Sequence, residues 1–164
     1  MTVLGAYRDA TLESQTLFNL AVEKVKRNNF REALGNLVEA LRIAPSNPSY
    51  RSYFGFCLAQ VEGDFDRAIQ FCRSASESRP LDPMLHVNLG KVHKLRGDNS
   101  AAHKEFVRAW QVCRGHPAAA AELTRMGIRR PPVVGILPRS HWVNKYLGIA
   151  RAAMERRLLG RRTC

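Results

Sequence analysis

Chemistry in this sequence would first show at its histidines, cysteines and carboxylates. His86 and His93 lie seven residues apart, on roughly one face if that stretch is helical. A metal centre needs further ligands. None of His86, His93, His103, His116 or His141 has a Cys or carboxylate at ligand spacing. Both members of the pair therefore read as packing or surface residues. Cys57, Cys72, Cys113 and Cys164 are far apart and form no C-x-x-C pair. Cys57 and Cys72 fall within apolar helical patterns, where a thiol serves as a small buried hydrophobe. Phosphate-cradling glycine loops, G-x-S-x-G and H-E-x-x-H are missing from the sequence. Asp and Glu are scattered singly, giving no acid/base pair. The expectation is a chain without catalytic residues, cofactor or metal, so function must lie in a surface and in the elements that shape it.

The 164 residues are 45% hydrophobic and 24% charged, ordinary for a globular chain with a real core. No apolar run reaches the roughly 18 residues of a membrane span. The first residues lack a basic segment followed by an apolar one, so no signal peptide is read and a cytoplasmic location is expected. The net charge of +12 is unevenly spread. Residues 1–124 hold 16 Lys/Arg against 13 Asp/Glu, whereas residues 125–164 hold 10 against 1.

Small residues recur with a fixed period. Ala21, Gly55 and Gly90 are 34 and 35 apart, Ala33, Ala68 and Ala102 are 35 and 34 apart, and Ala40, Ala75 and Ala109 repeat that spacing. Leu37, Cys72 and Phe106 hold a larger apolar position between the two alanine columns. Pro45 and Pro80 are 35 apart, with Arg114 at the next expected place. The second repeat's extra residue falls near Glu62-Gly63-Asp64, a turn, where an insertion costs little. Helical patterns cover about 17–27, 30–43, 52–61, 65–77, 85–95 and 100–112, punctuated by Pro45, Pro48, Pro80 and Pro83.

Over about residues 14–116 this register resembles the tetratricopeptide repeat, a helix–turn–helix unit of about 34 residues. The positions usually aromatic near each repeat start hold Leu17, Arg51 and His86 here, and Lys24 stands where another aromatic is common. The resemblance implies an all-α, right-handed superhelical array. Its units are 14–47, 48–82 and 83–116, after a frayed lead-in over 1–13. Each helix pair buries its apolar face only by stacking on the next. Residues 117–127 read as a capping helix, opened by Pro117 and closed by Gly127. Residues 128–164 read as a basic, partly apolar extension. Val133, Val134, Ile136 and Leu137 make it too apolar for a free linker, and a terminal amphipathic helix is expected over about 142–159.

The family binds peptides on the concave face formed by the first helix of each pair. Register places Phe18, Val22, Lys26, Ser52, Phe56, Gln60, Val87, Lys91 and Lys94 there, a partly apolar groove with a basic end. The plainer alternative is that Phe18, Val22, Phe56 and Val87 only pack against neighbouring helices. Co-chaperone members clamp a C-terminal carboxylate with Lys, Asn and Arg. The corresponding positions here are Phe18, Val22, Tyr53, Met84 and Asn88, none of them cationic, which argues against that ligand. The extension carries Arg129, Arg130, Arg139, Lys145, Arg151, Arg156 and Arg157. With Trp142 and Tyr146 these suit phosphates and bases, a partner's groove or an anionic membrane, while the plainer alternative is a helix docked in cis on the repeats. The expected function is an adaptor binding a peptide or helix of another protein. Nucleic-acid or ribosome association through the extension is second, and a membrane role is not demanded by the sequence.

Overall fold

The computed structural model describes residues 3–127 and the helical pair 146–147, with side chains from residue 10 onward. Seven helices are described in full: α1 (Val3–Lys26), α2 (Phe30–Ile43), α3 (Pro48–Val61), α4 (Phe65–Ser78), α5 (Pro83–Arg96), α6 (Asn99–Val112) and α7 (Pro117–Arg125). Apart from Tyr146 and Leu147, the expected helix over 142–159 lies outside the described residues, as do Lys145, all the arginines of the extension and the apolar run Val133, Val134, Ile136 and Leu137. Two helix starts differ from expectation by more than two residues. α3 begins at Pro48 where about 52 was expected. α1 runs back to Val3, where a frayed lead-in was expected, so the first helix is 24 residues long and projects beyond the 14-residue α2.

Two kinds of turn alternate along the chain. Within each pair the chain reverses through a residue of positive φ, namely Asn28, Gly63 and Gly97. Asp64 and Asp98 then cap α4 and α6, accepting the Arg67 and Ala101 backbone N–H groups. Between pairs, a polar cap is followed by proline at the first helical position: Asn47-Pro48, Asp82-Pro83 and His116-Pro117. Proline fits there because its missing N–H would have no partner in the first turn. The third of these turns shows that α7 starts in repeat register, as the first helix of a fourth unit.

Helices pair as α1·α2, α3·α4 and α5·α6, each pair packs on the next, and α7 closes onto α6 and α5. The small-residue columns mark the crossings. A Cβ on Gly55 would come within 2.7 Å of the Ala68 carbonyl oxygen, and one on Gly90 within 2.7 Å of the Phe106 ring. Ala21, Ala33, Ala40, Ala68, Ala75, Ala102 and Ala109 are all wholly buried, as are Leu37, Cys72 and Phe106 between them. The core runs as three clusters along the array, the last gathering Val87, Ala102, Phe106, Ala109 and Ala119 beneath α7. No helix among the described residues is long and apolar enough to cross a membrane.

Candidate functional site: the face of the first helices

The first helices α1, α3, α5 and α7 occupy equivalent places in successive units, so equivalent residues form rows across them. One row is Val22, Phe56, Lys91, Arg125, and a second is Asn19, Tyr53, Asn88, Glu122. The first changes character along the array, from apolar and aromatic at α1 and α3 to charged at α5 and α7, while the second is amide, phenol, buried amide and carboxylate in turn.

At the α1–α3 end, Phe18 stacks on Tyr50 with ring centroids 4.8 Å apart and meets Tyr53 edge-on at 5.3 Å. The Tyr50 hydroxyl donates to Gln15 Oε1 at 3.3 Å. Phe18, Val22 and Tyr53 are half-buried, leaving aromatic surface open beside Gln15 and Asn19. Burial raises the Tyr53 phenol above its ordinary value, with the Asp82 charge adding to it.

At the α5–α7 end the groups are ionic. Lys94 Nζ lies 2.8 Å from Glu122 Oε2, and Arg125 pairs with the other oxygen at 2.9 Å. Burial alone would raise the Glu122 carboxyl, but the Lys94 hydrogen bond and the charges of Lys94, Arg125 and Lys91 outweigh it and hold it low. Lys91 sits between the two ends. Its ammonium lies 5.0 Å from the centroid of the Phe56 ring and is half-buried. It has no ion pair among the described residues. Burial lowers its pKa, opposed by Glu122 and reinforced by Arg125.

The nine groove residues expected from sequence divide in two. Lys26 and Gln60 are exposed, and Phe18, Val22, Lys91 and Lys94 are half-buried. Ser52, Phe56 and Val87 are buried instead: Ser52 is wholly enclosed, Phe56 meets Phe30 edge-on at 5.6 Å, and Val87 belongs to the core beneath α7. These three form the floor, because a first helix packs against its own partner and both neighbours, which leaves a narrow free stripe. Asn88 is also enclosed, donating to Ser52 Oγ at 3.1 Å. Sequence reasoning missed Glu122 and Arg125, although the cap-proline recurrence at His116-Pro117 was the signal that α7 continues the rows.

The sequence also left unseen a pairing on the other side of the array. His86 Nδ1 lies 2.9 Å from Glu105 Oε2, and its Nε2 lies 3.1 Å from the Pro80 carbonyl oxygen. Acceptors face both ring nitrogens, an arrangement that favours the imidazolium, in which both nitrogens donate. The Glu105 hydrogen bond is the main reason His86 titrates above its ordinary value, against the opposing effect of burial. Arg108 takes the second Glu105 oxygen at 2.7 Å. With both nitrogens engaged, His86 has none free to act as a base, so this is a structural clamp joining the α4–α5 turn to α6.

No protein-family model matches the chain. Its fold matches solved tetratricopeptide domains. The tetratricopeptide domain of Arabidopsis OM64 aligns with a TM-score of 0.58 at 15% identity over 71% of this chain and 96% of that one. The first tetratricopeptide domain of Spaghetti (RPAP3), solved with the HSP90 peptide SRMEEVD, aligns at 0.58 and 15% over 71% and 92%. The Yersinia enterocolitica type III secretion chaperone SycD, solved with a peptide of the translocator YopD, aligns at 0.53 and 16% over 69% and 86%. The chain therefore has the tetratricopeptide-repeat fold, and its described residues hold three helix pairs followed by α7 in the register of a further first helix.

Proposed function

We propose that this tetratricopeptide-fold chain is a non-catalytic adaptor that holds a segment of a partner protein along the face of α1, α3, α5 and α7. Two neighbours of this fold were solved with peptides, which supports a polypeptide ligand. The observation that carries the reading is Lys91. Its ammonium lies over Phe56 with no carboxylate of its own, while Lys94 and Arg125 share Glu122. An acidic side chain of the partner completes Lys91. An apolar or aromatic residue of the partner then meets Phe18, Val22 and Tyr53. The peptide differs from the HSP90 tail, since the clamp positions Phe18, Val22, Tyr53, Met84 and Asn88 offer no cation.

A displayed random-peptide library selected on the intact protein tests this. The enriched peptides should pair an acidic residue with an aromatic or aliphatic one and bind Lys91→Met about tenfold more weakly, the loss of one charge-assisted contact. Peptides without an acidic residue, or binding both proteins equally, would refute it. Phe56→Glu is a poor probe, because Phe56 is 5% exposed and the variant would report on folding.

The charge partition supports a second reading, nucleic-acid association through Arg129, Arg130, Arg139, Lys145, Arg151, Arg156 and Arg157. Such binding would fall steeply with salt and vanish on removal of 128–164. Docking of that extension in cis on the repeats is a further proposal. Stronger amide protection of the first helices in the intact chain than in the same chain cut after residue 126 would support it.

A further inference from the structure

Away from the first-helix face, a cleft of about 660 Å³ opens between α4, the α4–α5 turn, α5 and α6. It is of the size that takes small organic ligands. Its walls divide by chemistry. Pro80, Leu81, Leu89 and Val112 supply an apolar side, and Leu81 is 82% exposed at the mouth. Arg73, Arg108, His86 and His93 bring positive or donor groups, set against Glu77 and Glu105.

Most of the polar groups are already spent. Glu105 gives one oxygen to His86 and the other to Arg108. His86 is bonded at both nitrogens, and Ser76 Oγ donates to the Arg73 carbonyl oxygen at 2.8 Å. Four groups remain among the described residues. The exposed Arg73, Glu77 and Gln111 have no side-chain partner, and His93, 8% exposed, has a buried Nδ1 with none; of these only Arg73 and His93 can receive an anion by charge or as an imidazolium. A buried imidazole without a partner is costly, and a cleft-lining one gains most from a ligand that bonds it. Burial lowers the His93 pKa, opposed by Asp98 and Glu105 and reinforced by Arg73 and Arg96, so Arg73 is near enough for its charge to be felt at the ring.

We infer that this cleft binds a small carboxylic acid with an apolar body, the carboxylate on Arg73 and His93 and the body along Leu89, Val112 and Leu81. The triad His86–Glu105–Arg108 is the fixed wall behind it and takes no part in ligand exchange. This site is separate from the peptide face and does not depend on that reading.

Titration of the full chain with octanoate, followed by NMR of the methyl groups and the His93 ring, tests the inference. Saturable shifts are expected at Leu89, Val112 and Leu81, with the His93 pKa rising as the anion binds. Octanol, which keeps the body and lacks the charge, should bind about tenfold more weakly. Arg73→Gln should weaken octanoate by about the same factor while leaving octanol unchanged. Shifts that fail to saturate, or equal binding of octanoate and octanol, would overturn it. So would octanoate affinity unaffected by Arg73→Gln.

Discussion

Alanine in place of Gly35, Gly55 and Gly90, one at a time, separates helix propensity from helix crossing. Each glycine sits inside a helix, where alanine is favoured by about 0.5–1 kcal/mol if nothing else changes. At Gly35 on α2 nothing else does, since an added Cβ meets no atom within 4 Å. Gly35→Ala should gain the whole term, raising the melting temperature by about 1–4 °C. At Gly90 the Cβ would stand 2.7 and 2.8 Å from two atoms of the Phe106 ring, which is wholly buried and must shift. Overpacking of about 1–3 kcal/mol outweighs the helix gain and leaves a net loss of up to about 2 kcal/mol. At Gly55 the nearest atom is the Ala68 carbonyl oxygen at 2.7 Å, with Cys72 Sγ at 2.8 Å. Backbone cannot rotate away, so α4 must move as a body and the loss lies at the upper end of that range or beyond. Stability should fall in the order Gly35→Ala, wild type, Gly90→Ala, Gly55→Ala. Thermal and urea unfolding followed by far-ultraviolet circular dichroism reads this order. A destabilised Gly35→Ala, or a Gly55→Ala as stable as wild type, would refute the assigned crossings.

Three further outcomes are expected. His86, held above its ordinary value of 6.5, gives stability that is full below pH 6.5 and lost as pH rises through its folded-state pKa. Glu105, held below 4.5 because His86 and Arg108 outweigh its burial, gives stability that is full above pH 4.5 and lost as pH falls. His93 and His116, lowered by burial, slope the other way, so the difference between wild type and His86→Phe isolates the clamp. That difference should be about 1.5–3 kcal/mol near pH 6 and shrink in alkali, and a pH-independent difference would remove the imidazolium. Cys57 and Cys72 are wholly buried, and burial pushes both thiols up to about 12. Peptide mapping after iodoacetamide at pH 8 should find both unmodified in native protein and labelled in urea, and rapid native labelling would contradict their burial. Glu122→Gln should loosen α7, read as faster amide exchange confined to that helix. Unchanged exchange would show that apolar packing alone holds it.

Much of the array is legible in the sequence because its period is written in residues that cannot be exchanged at a crossing. Gly55 and Gly90 are needed where a carbonyl and a ring come within 2.7 Å of the Cβ position, and the helix expected over 30–43 is α2 to the residue. The early start of α1 was hidden because its first residues are a short, mixed stretch in sequence, and Leu12, where an inward apolar residue would have marked the helix, is 73% exposed. The division of the groove was hidden for a different reason. Helical spacing tells which residues face inward from a first helix, but not which of them the neighbouring pair covers, and Ser52 and Val87 are covered. Pairings between helices were beyond spacing rules altogether. His86 and Glu105 are 19 apart and Lys94 and Glu122 are 28 apart, distances that mean contact only after the helices are stacked.

The row Val22, Phe56, Lys91, Arg125 gives the first-helix face a sense of direction. A face with the same chemistry at both ends accepts a strand running either way. This one distinguishes its ends, aromatic beside α1 and ionic beside α7. For the peptide ligand proposed above, a segment with its acidic residue before its aromatic one would run along the array in one polarity, and the reversed order would demand the opposite polarity. The flanking chain of such a partner would leave past a defined end, so the proposal ties orientation as well as composition to four side chains spaced one repeat apart.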